Sequence, residues 1–219
     1  PNRFSLAGCD CNIVLHHRDN SVCLIFCIWV VGGENVIEIK QVSFTYDNAT
    51  NGTAIRDINV QIPKGQIVLL CGESGSGKTT FSRLINGLIP AYYDGDLNGR
   101  VMVSQKDTSK VELHELAPFI GSVFQNPKSQ FYTLLTDTEI VFACENIGME
   151  RTDILDRFNS TVDSLHIEKL IGKSLFALSG GEKQKIACAS VNALMPDVFV
   201  LDEPTSNLDI GTIRDLQEI

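Results

Sequence analysis

The chain has 219 residues, a formal charge of −9 and a pI near 4.9. That length buries a sizeable core, as one domain or two small lobes, and a hydrophobic share of 43% is ordinary for a globular protein. An acidic surface with no basic run repels phosphate backbones and argues against nucleic acid as a partner.

The first 34 residues differ from the rest. They carry Cys9, Cys11, Cys23 and Cys27 and one unbroken apolar run, Val22 to Val31. A bilayer-spanning helix needs about 20 apolar residues, so this run is too short. No small-residue cleavage site follows it, as an export signal would require. It reads as an extra buried strand or helix, or as translated sequence upstream of the true start. Gly32 and Gly33 mark the boundary. The seven cysteines are an odd number, which suits a reducing compartment better than a disulfide framework. Cys71, Cys144 and Cys188 stand in apolar surroundings, where a thiol acts as a small hydrophobe.

From Val36 onward the pattern is clean. VIEIKQVSFTY and AIRDINVQI alternate apolar and polar residues, as half-buried strands do, around the polar turn DNATNGT. Ile67 to Cys71 is a continuous apolar run, typical of a buried parallel strand. A helix is expected from Lys78 to about Leu88. VMV and IGSVF read as short strands. Beyond about Lys128 the strand signal fades and helices are expected over 137–147 and 152–166. In the second, Ile154, Leu155, Phe158, Val162 and Leu165 form one apolar stripe. A third helix runs from Gly180 to about Leu194, Pro196 ends it, and Val198 to Leu201 is another buried strand. The layout suggests a parallel-sheet core with a helical lobe inserted between roughly 128 and 178.

Between a predicted strand and a predicted helix stands GESGSGKT, Gly72 to Thr79. It fits G-x-x-x-x-G-K-[ST] at every fixed position and in the right context. Glycines let the backbone curl so that successive N–H groups point at phosphate oxygens, and the helix N-terminus adds partial positive charge. The candidate cradle is Gly72, Glu73, Ser74, Gly75, Ser76, Gly77, Lys78, Thr79 and Thr80. Lys78 can reach the β- and γ-phosphates, and the Thr79 hydroxyl can serve Mg²⁺.

VFVLDE ends in Asp202 and Glu203, where a buried strand emerges. A carboxylate at Asp202 can hold Mg²⁺ directly or through water. Glu203 can orient or deprotonate a water that attacks the γ-phosphate. An acidic strand end facing solvent is the plain alternative, which the cradle upstream outweighs.

LSGGEKQK, Leu178 to Lys185, contains a capping box with Ser179 at the N-cap and Glu182 three residues on. The cap explains Ser179 and Glu182. It does not explain two glycines in a first turn, where they lower helix stability. Gly180 and Gly181 make sense if a ligand must approach the backbone, so Ser179, Gly180 and Gly181 read as a second phosphate-binding surface.

Together these motifs resemble the ABC-type ATPases. GESGSGKT looks like the family's Walker A, VFVLDE like its Walker B, LSGGEKQ like its signature, Gln125 in VFQNP like its Q-loop, and Ser206 to Asp209 like its D-loop. Tyr46 stands where the family carries an aromatic that stacks on adenine. The set comes in family order and covers Val36 to Ile219. The resemblance implies a P-loop NTPase core with a mainly parallel sheet, an N-terminal antiparallel β subdomain and an inserted helical subdomain. It also implies ATP and Mg²⁺ as cofactors. Lys78, Gln125 and Glu203 would be catalytic, and Thr79, Gln125 and Asp202 would serve the metal. In this family two ATPase domains pair head to tail, so Ser179, Gly180 and Gly181 would close over a partner's nucleotide. That partner would be identical, paralogous or fused.

NGLIPAYYDGDLNG and FQNPKSQF are closer to the energy-coupling-factor (ECF) branch, importers of vitamins and transition metals, which implies a transmembrane partner subunit and a place at the cytoplasmic face of the membrane. The expected division is an atypical extension over 1–34 and an ABC-type domain over 35–219. The family also places a His well beyond the Walker B Glu, and Ile219 comes first. His16, His17, His114 and His166 cannot fill that role by position. The expectation is a chain that binds ATP and turns it over poorly. The competing readings are a soluble ABC-type ATPase acting on DNA or ribosomes, or a nucleotide-binding module without turnover. The acidic surface and the lack of heptads between Gln125 and Ser179 weigh against the first. The presence of Lys78, Thr79 and Glu203 weighs against the second.

Overall fold

The computed structural model describes residues 24–30, 35–47, 54–72 and 75–202. These fall into two bodies, one holding the chain up to Ile120 together with Asp197–Asp202, the other Gly121–Pro196.

In the first body the apolar run near the N-terminus is a strand, β1 (Leu24–Val30). It lies between β4 (Ile67–Gly72) and β8 (Val198–Asp202) and is antiparallel to both. β4 and β8 therefore point the same way. The apolar character of Ile67–Cys71 led to the expectation of a parallel neighbour, but its described partner β1 runs against it. A run without alternation reports that both faces of a strand are covered, and carries no information on direction.

The second sheet of this body is antiparallel, in the order β3-β2-β5-β6. Its strands are β2 (Asn35–Tyr46), β3 (Ile55–Pro63), β5 (Gly95–Val103) and β6 (Lys106–Asp107). Along β2, Val36, Ile37, Ile39, Val42 and Phe44 are buried, and the alternation skips a step between Ile39 and Val42. The skipped step coincides with an irregularity in the β2–β3 register between Ile39 and Val42 and with Gln41 in the left-handed region at φ 49°. A bulge there inserts one residue and keeps both apolar pairs buried.

Against these strands packs α1 (Lys78–Ile85) through Phe81, Leu84 and Ile85. The helix stops three residues short of Leu88, because Gly87 takes φ 75° and a short kinked helix, α2 (Leu88–Ala91), follows. A Cβ on Gly87 would come within 2.5 Å of Leu116 in α3 (Leu113–Leu116), so only glycine turns the chain at that point. Ser104 in the turn after β5 donates to Asp197 at 2.7 Å, just before β8.

The strand β7 (Ile120–Val123) leads into the second body. Among its described residues the α-helices are α4 (Thr136–Asn146), α5 (Arg151–Ser164) and α6 (Gly180–Asn192). Ile140, Cys144, Val162, Leu165, Ile186 and Ala189 are buried at its centre. The expected stripe on α5 divides. Val162 and Leu165 are buried, while Leu155 is 51% exposed. Cys144 is fully buried, and burial pushes its thiol above the ordinary range.

Two polar clamps hold this body together. The buried Glu139 carboxylate accepts from the Tyr132 and Thr133 N–H groups and the Thr133 hydroxyl, which fixes the segment before α4. Arg157 on α5 donates to the carbonyls of Ala193 (3.3 Å) and Leu194 (2.5 Å), past the end of α6. Those carbonyls are among the acceptors a helix end leaves unpaired, and a cation there complements the helix dipole.

Candidate nucleotide site

The cradle joins β4 to α1. Gly75 and Gly77 take φ 80° and 93°, a region closed to most side chains. A Cβ on Gly77 would also come within 2.8 Å of the Ala54 carbonyl. Lys78, 4% exposed, reaches back across the loop. Its ammonium donates to the Gly72 carbonyl at 2.8 Å and to the Ser76 hydroxyl at 3.3 Å. Thr79 faces solvent and Thr80 is buried. Glu73 and Ser74 lie outside the described residues.

The loop therefore offers what a phosphate chain needs: a backbone curled by two left-handed glycines, a lysine folded over it, a hydroxyl in solvent and a helix N-terminus. This donor set fits a triphosphate, and the free-facing Thr79 hydroxyl fits a hard, oxygen-seeking cation such as Mg²⁺.

Asp202 ends β8 at the same end of the sheet as Gly72. The two strands are registered through β1, with Gly72 opposite Leu24 and Asp202 opposite Phe26. Two strand spacings set them roughly 10 Å apart across the sheet. Glu203 and the stretch Ser206–Asp209 lie outside the described residues.

Tyr46, at the end of β2, is half-buried. Its hydroxyl lies 3.1 Å from Thr80 Oγ1 and accepts from Arg83 at 3.0 Å. The Arg83 guanidinium also sits 4.0 Å over the Tyr93 ring. Sequence reasoning passed over Arg83 because a cation on a helix reads as a solvated face. The available signal was its position, five residues after Lys78, which places it one to two turns along the same helix.

The other candidates belong to the second body. Gln125 is exposed and follows β7. Gln130 brackets it, accepting from the Phe124 N–H and donating to the Ser122 carbonyl, both at 3.2 Å. Ser179 and Gly180 are exposed at the start of α6, and Gly181 is half-exposed. The capping box is present: the Ser179 N–H donates to Glu182 at 2.8 Å and the Glu182 N–H donates to Ser179 Oγ at 3.3 Å. The bond from the Ser179 N–H, aided by the Ser179 side chain, holds the Glu182 carboxyl below its usual range. A Cβ built on Gly180 would meet nothing within 4 Å. Among the described residues, packing gives no reason for glycine there.

The profile of the ABC transporter family matches residues 55–206. A Treponema denticola protein provisionally named an ABC transporter ATP-binding protein is 47% identical over 184 residues, which is 84% of this chain and 37% of that protein. A Bacillus subtilis protein provisionally named the HMP/thiamine import ATP-binding protein YkoD is 36% identical over 183 residues, 83% of this chain and 33% of that one. The chain thus spans about a third of the length of these curated relatives. Among solved structures, cbiO1 from Clostridium perfringens, described as part of the ABC transporter complex cbiONQ, superposes with a TM-score of 0.70 at 25% identity, over 85% of this chain and 72% of that one. The curled cradle, the capped signature-like helix and these likenesses agree: the chain belongs to the ABC transporter family, as one of its ATP-binding domains.

Proposed function

We propose that the chain binds and hydrolyses ATP to energise an ECF-type membrane importer of vitamins or transition metals, working as half of a pair of ATPase domains. The observation that carries this reading is that one chain holds two anion-seeking backbone surfaces: the cradle at Gly72–Thr80, and an exposed, capped helix start at Ser179–Gly180–Gly181 whose glycine is unexplained by packing. A protein that serves one nucleotide alone needs only the first.

In this reading the cradle N–H groups and Lys78 hold the β- and γ-phosphates and offset the charge that develops as the γ-phosphoryl group leaves. Thr79 and Asp202 would hold Mg²⁺, which would supply further charge neutralisation. Glu203 accepts a proton from the attacking water, the γ-phosphorus–bridging oxygen bond breaks, and ADP and phosphate result. Ser179, Gly180 and Gly181 close over the nucleotide of a second domain of the same kind, identical, paralogous or fused. ATP favours the closed pair and hydrolysis reopens it.

The membrane partner is read from the second body. Between α4 and α5 lies an open groove of about 580 Å³, where Val141, Ile154, Leu155 and Phe158 stand beside the charged Asp137, Glu145 and Arg151. Apolar side chains with charges of both signs beside them suit an amphipathic helix of a transmembrane subunit. Among the described residues no helix is long and apolar enough to cross a membrane itself; the peripheral place on the cytoplasmic face is part of the same proposal. The import named for YkoD and the complex named for cbiO1 support the same direction.

The test is the mass in solution of the Glu203→Gln chain with and without Mg-ATP. Doubling with ATP, abolished by Ser179→Arg, supports a pair closed by the signature. Bound ATP without doubling removes the identical partner, and no ATP binding removes the reading altogether.

A further inference from the structure

The geometry points to Arg83 as a positioning residue for the base of the nucleotide, an inference that rests on the ATP-binding reading above. Arg83 makes two contacts at once. One guanidinium nitrogen donates to the Tyr46 hydroxyl at 3.0 Å, and the guanidinium carbon sits over the Tyr93 ring, 4.0 Å from its centroid. The Tyr46 oxygen also lies 3.1 Å from Thr80 Oγ1, in the first turn of α1. The rings of Tyr46 and Tyr93 meet edge to face at 6.2 Å, and Phe44 stands edge to face with Tyr46 at 4.7 Å.

Ion pairs among the described residues include those of Lys40 with Glu38 and of both Arg100 and Lys110 with Asp107. Arg83 is in none of them. An arginine is suited to its position because a planar guanidinium can stack on one ring while donating in its own plane to another group, which a lysine ammonium cannot do. The Tyr46 ring cannot swing away without losing both partners of its hydroxyl. Both partners sit on α1, the helix that Lys78 begins.

Nucleobases stack on aromatic side chains. Here an aromatic pair is fastened to the helix that follows the phosphate cradle, so the base wall and the cradle keep a fixed separation before the nucleotide arrives. Fixing the wall in advance removes an ordering cost from binding. Arg83 touches no reacting atom; it acts through Tyr46 and Tyr93.

The test compares Mg-ATP with inorganic tripolyphosphate, which has the phosphates and no base. Calorimetric titration of the wild-type, Arg83→Met and Tyr46→Phe chains gives the advantage of ATP over tripolyphosphate for each. Both variants are expected to lose roughly three- to tenfold in ATP affinity, the range for releasing one ordered side chain, with tripolyphosphate affinity unchanged. Tyr46→Phe keeps the ring and its packing, so it answers the question even if Arg83→Met folds poorly. Unchanged ATP affinity in both variants overturns the proposal. Equal losses for ATP and tripolyphosphate also overturn it, since Arg83 would then serve the cradle. A wild-type chain that binds neither ligand defeats the ATP-binding reading and the inference with it.

Discussion

Ser179 and Glu182 exchange hydrogen bonds across the first turn of α6, each accepting from the other's backbone N–H. The serine is thus a structural cap, whatever else it meets. Ser179→Ala is expected to lower stability by about 1 kcal/mol, the usual effect of removing an N-cap. Ser179→Asp separates the two roles, because aspartate caps as well as serine and repels a phosphate. Its melting temperature should match wild type while ATP-driven pairing of the Glu203→Gln background disappears. Pairing that survives the aspartate would leave Ser179 as a cap only.

Asp107 sets an acid limit on the first body. Burial alone would raise its carboxyl, but the two hydrogen bonds from Ser109 and the cations Arg100 and Lys110 outweigh it and hold the group below its ordinary 3.8. A carboxyl depressed by folding adds stability that is complete above its unfolded value and fades as pH falls through the folded one. Wild type should therefore be more stable than Asp107→Asn at pH 7, by about 1 kcal/mol for the hydrogen bonds lost, with the gap closing below about pH 3.8. Melting curves of the two proteins from pH 7 downward check this. A gap that persists in strong acid would count against it.

Gly121 has no room for a methyl group: a Cβ there would lie 2.2 Å from Val191 Cγ1 and 2.9 Å from Pro196 Cγ. Gly121→Ala is expected to destabilise by about 1–3 kcal/mol through overpacking. Val191→Ala removes the obstructing methyl, so the double variant should be more stable than the sum of the single effects. Strict additivity in urea titrations would mean that the backbone yields elsewhere.

Arg157 closes the far end of α6. Arg157→Met keeps much of the side chain's apolar length and removes the donor to Ala193 and Leu194. A loss of about 1.5–3 kcal/mol in urea unfolding is expected for a charged hydrogen bond to carbonyls. Ala193 retains its bond from the Cys144 thiol, which is why the loss should stay partial. No change would mean that solvent satisfies these carbonyls equally well.

Much of this structure could be read from the residues because the readable parts obey local rules. The strand pair before the cradle follows from alternation, while the bulge between Ile39 and Val42 came only with the pairing register. The loop over Gly75 and Gly77 follows from a motif whose glycines are needed for left-handed backbone. What escaped depends on residues distant in sequence. Nothing in Leu24–Val30 says that it lies between β4 and β8, since an apolar run names no neighbours. Glu139, Arg157 and Arg83 look like ordinary helix-surface charges until the groups they bind are known. Leu155 fits its helical stripe, and only the packing around it reveals that it turns outward.

The grip of Arg157 gives α6 a mechanical character. At about 1.5 Å per residue its thirteen residues form a rod of roughly 20 Å, with the exposed serine cap at one tip and the guanidinium clamp at the other. The helix that owns the clamp also lines the groove between α4 and α5. A tilt of about 10° pivoting on the clamp swings Ser179 through roughly 3.5 Å, given that length. That travel exceeds a hydrogen-bond distance, so a small tilt of α6 would be enough to make or break a polar contact at the Ser179 tip.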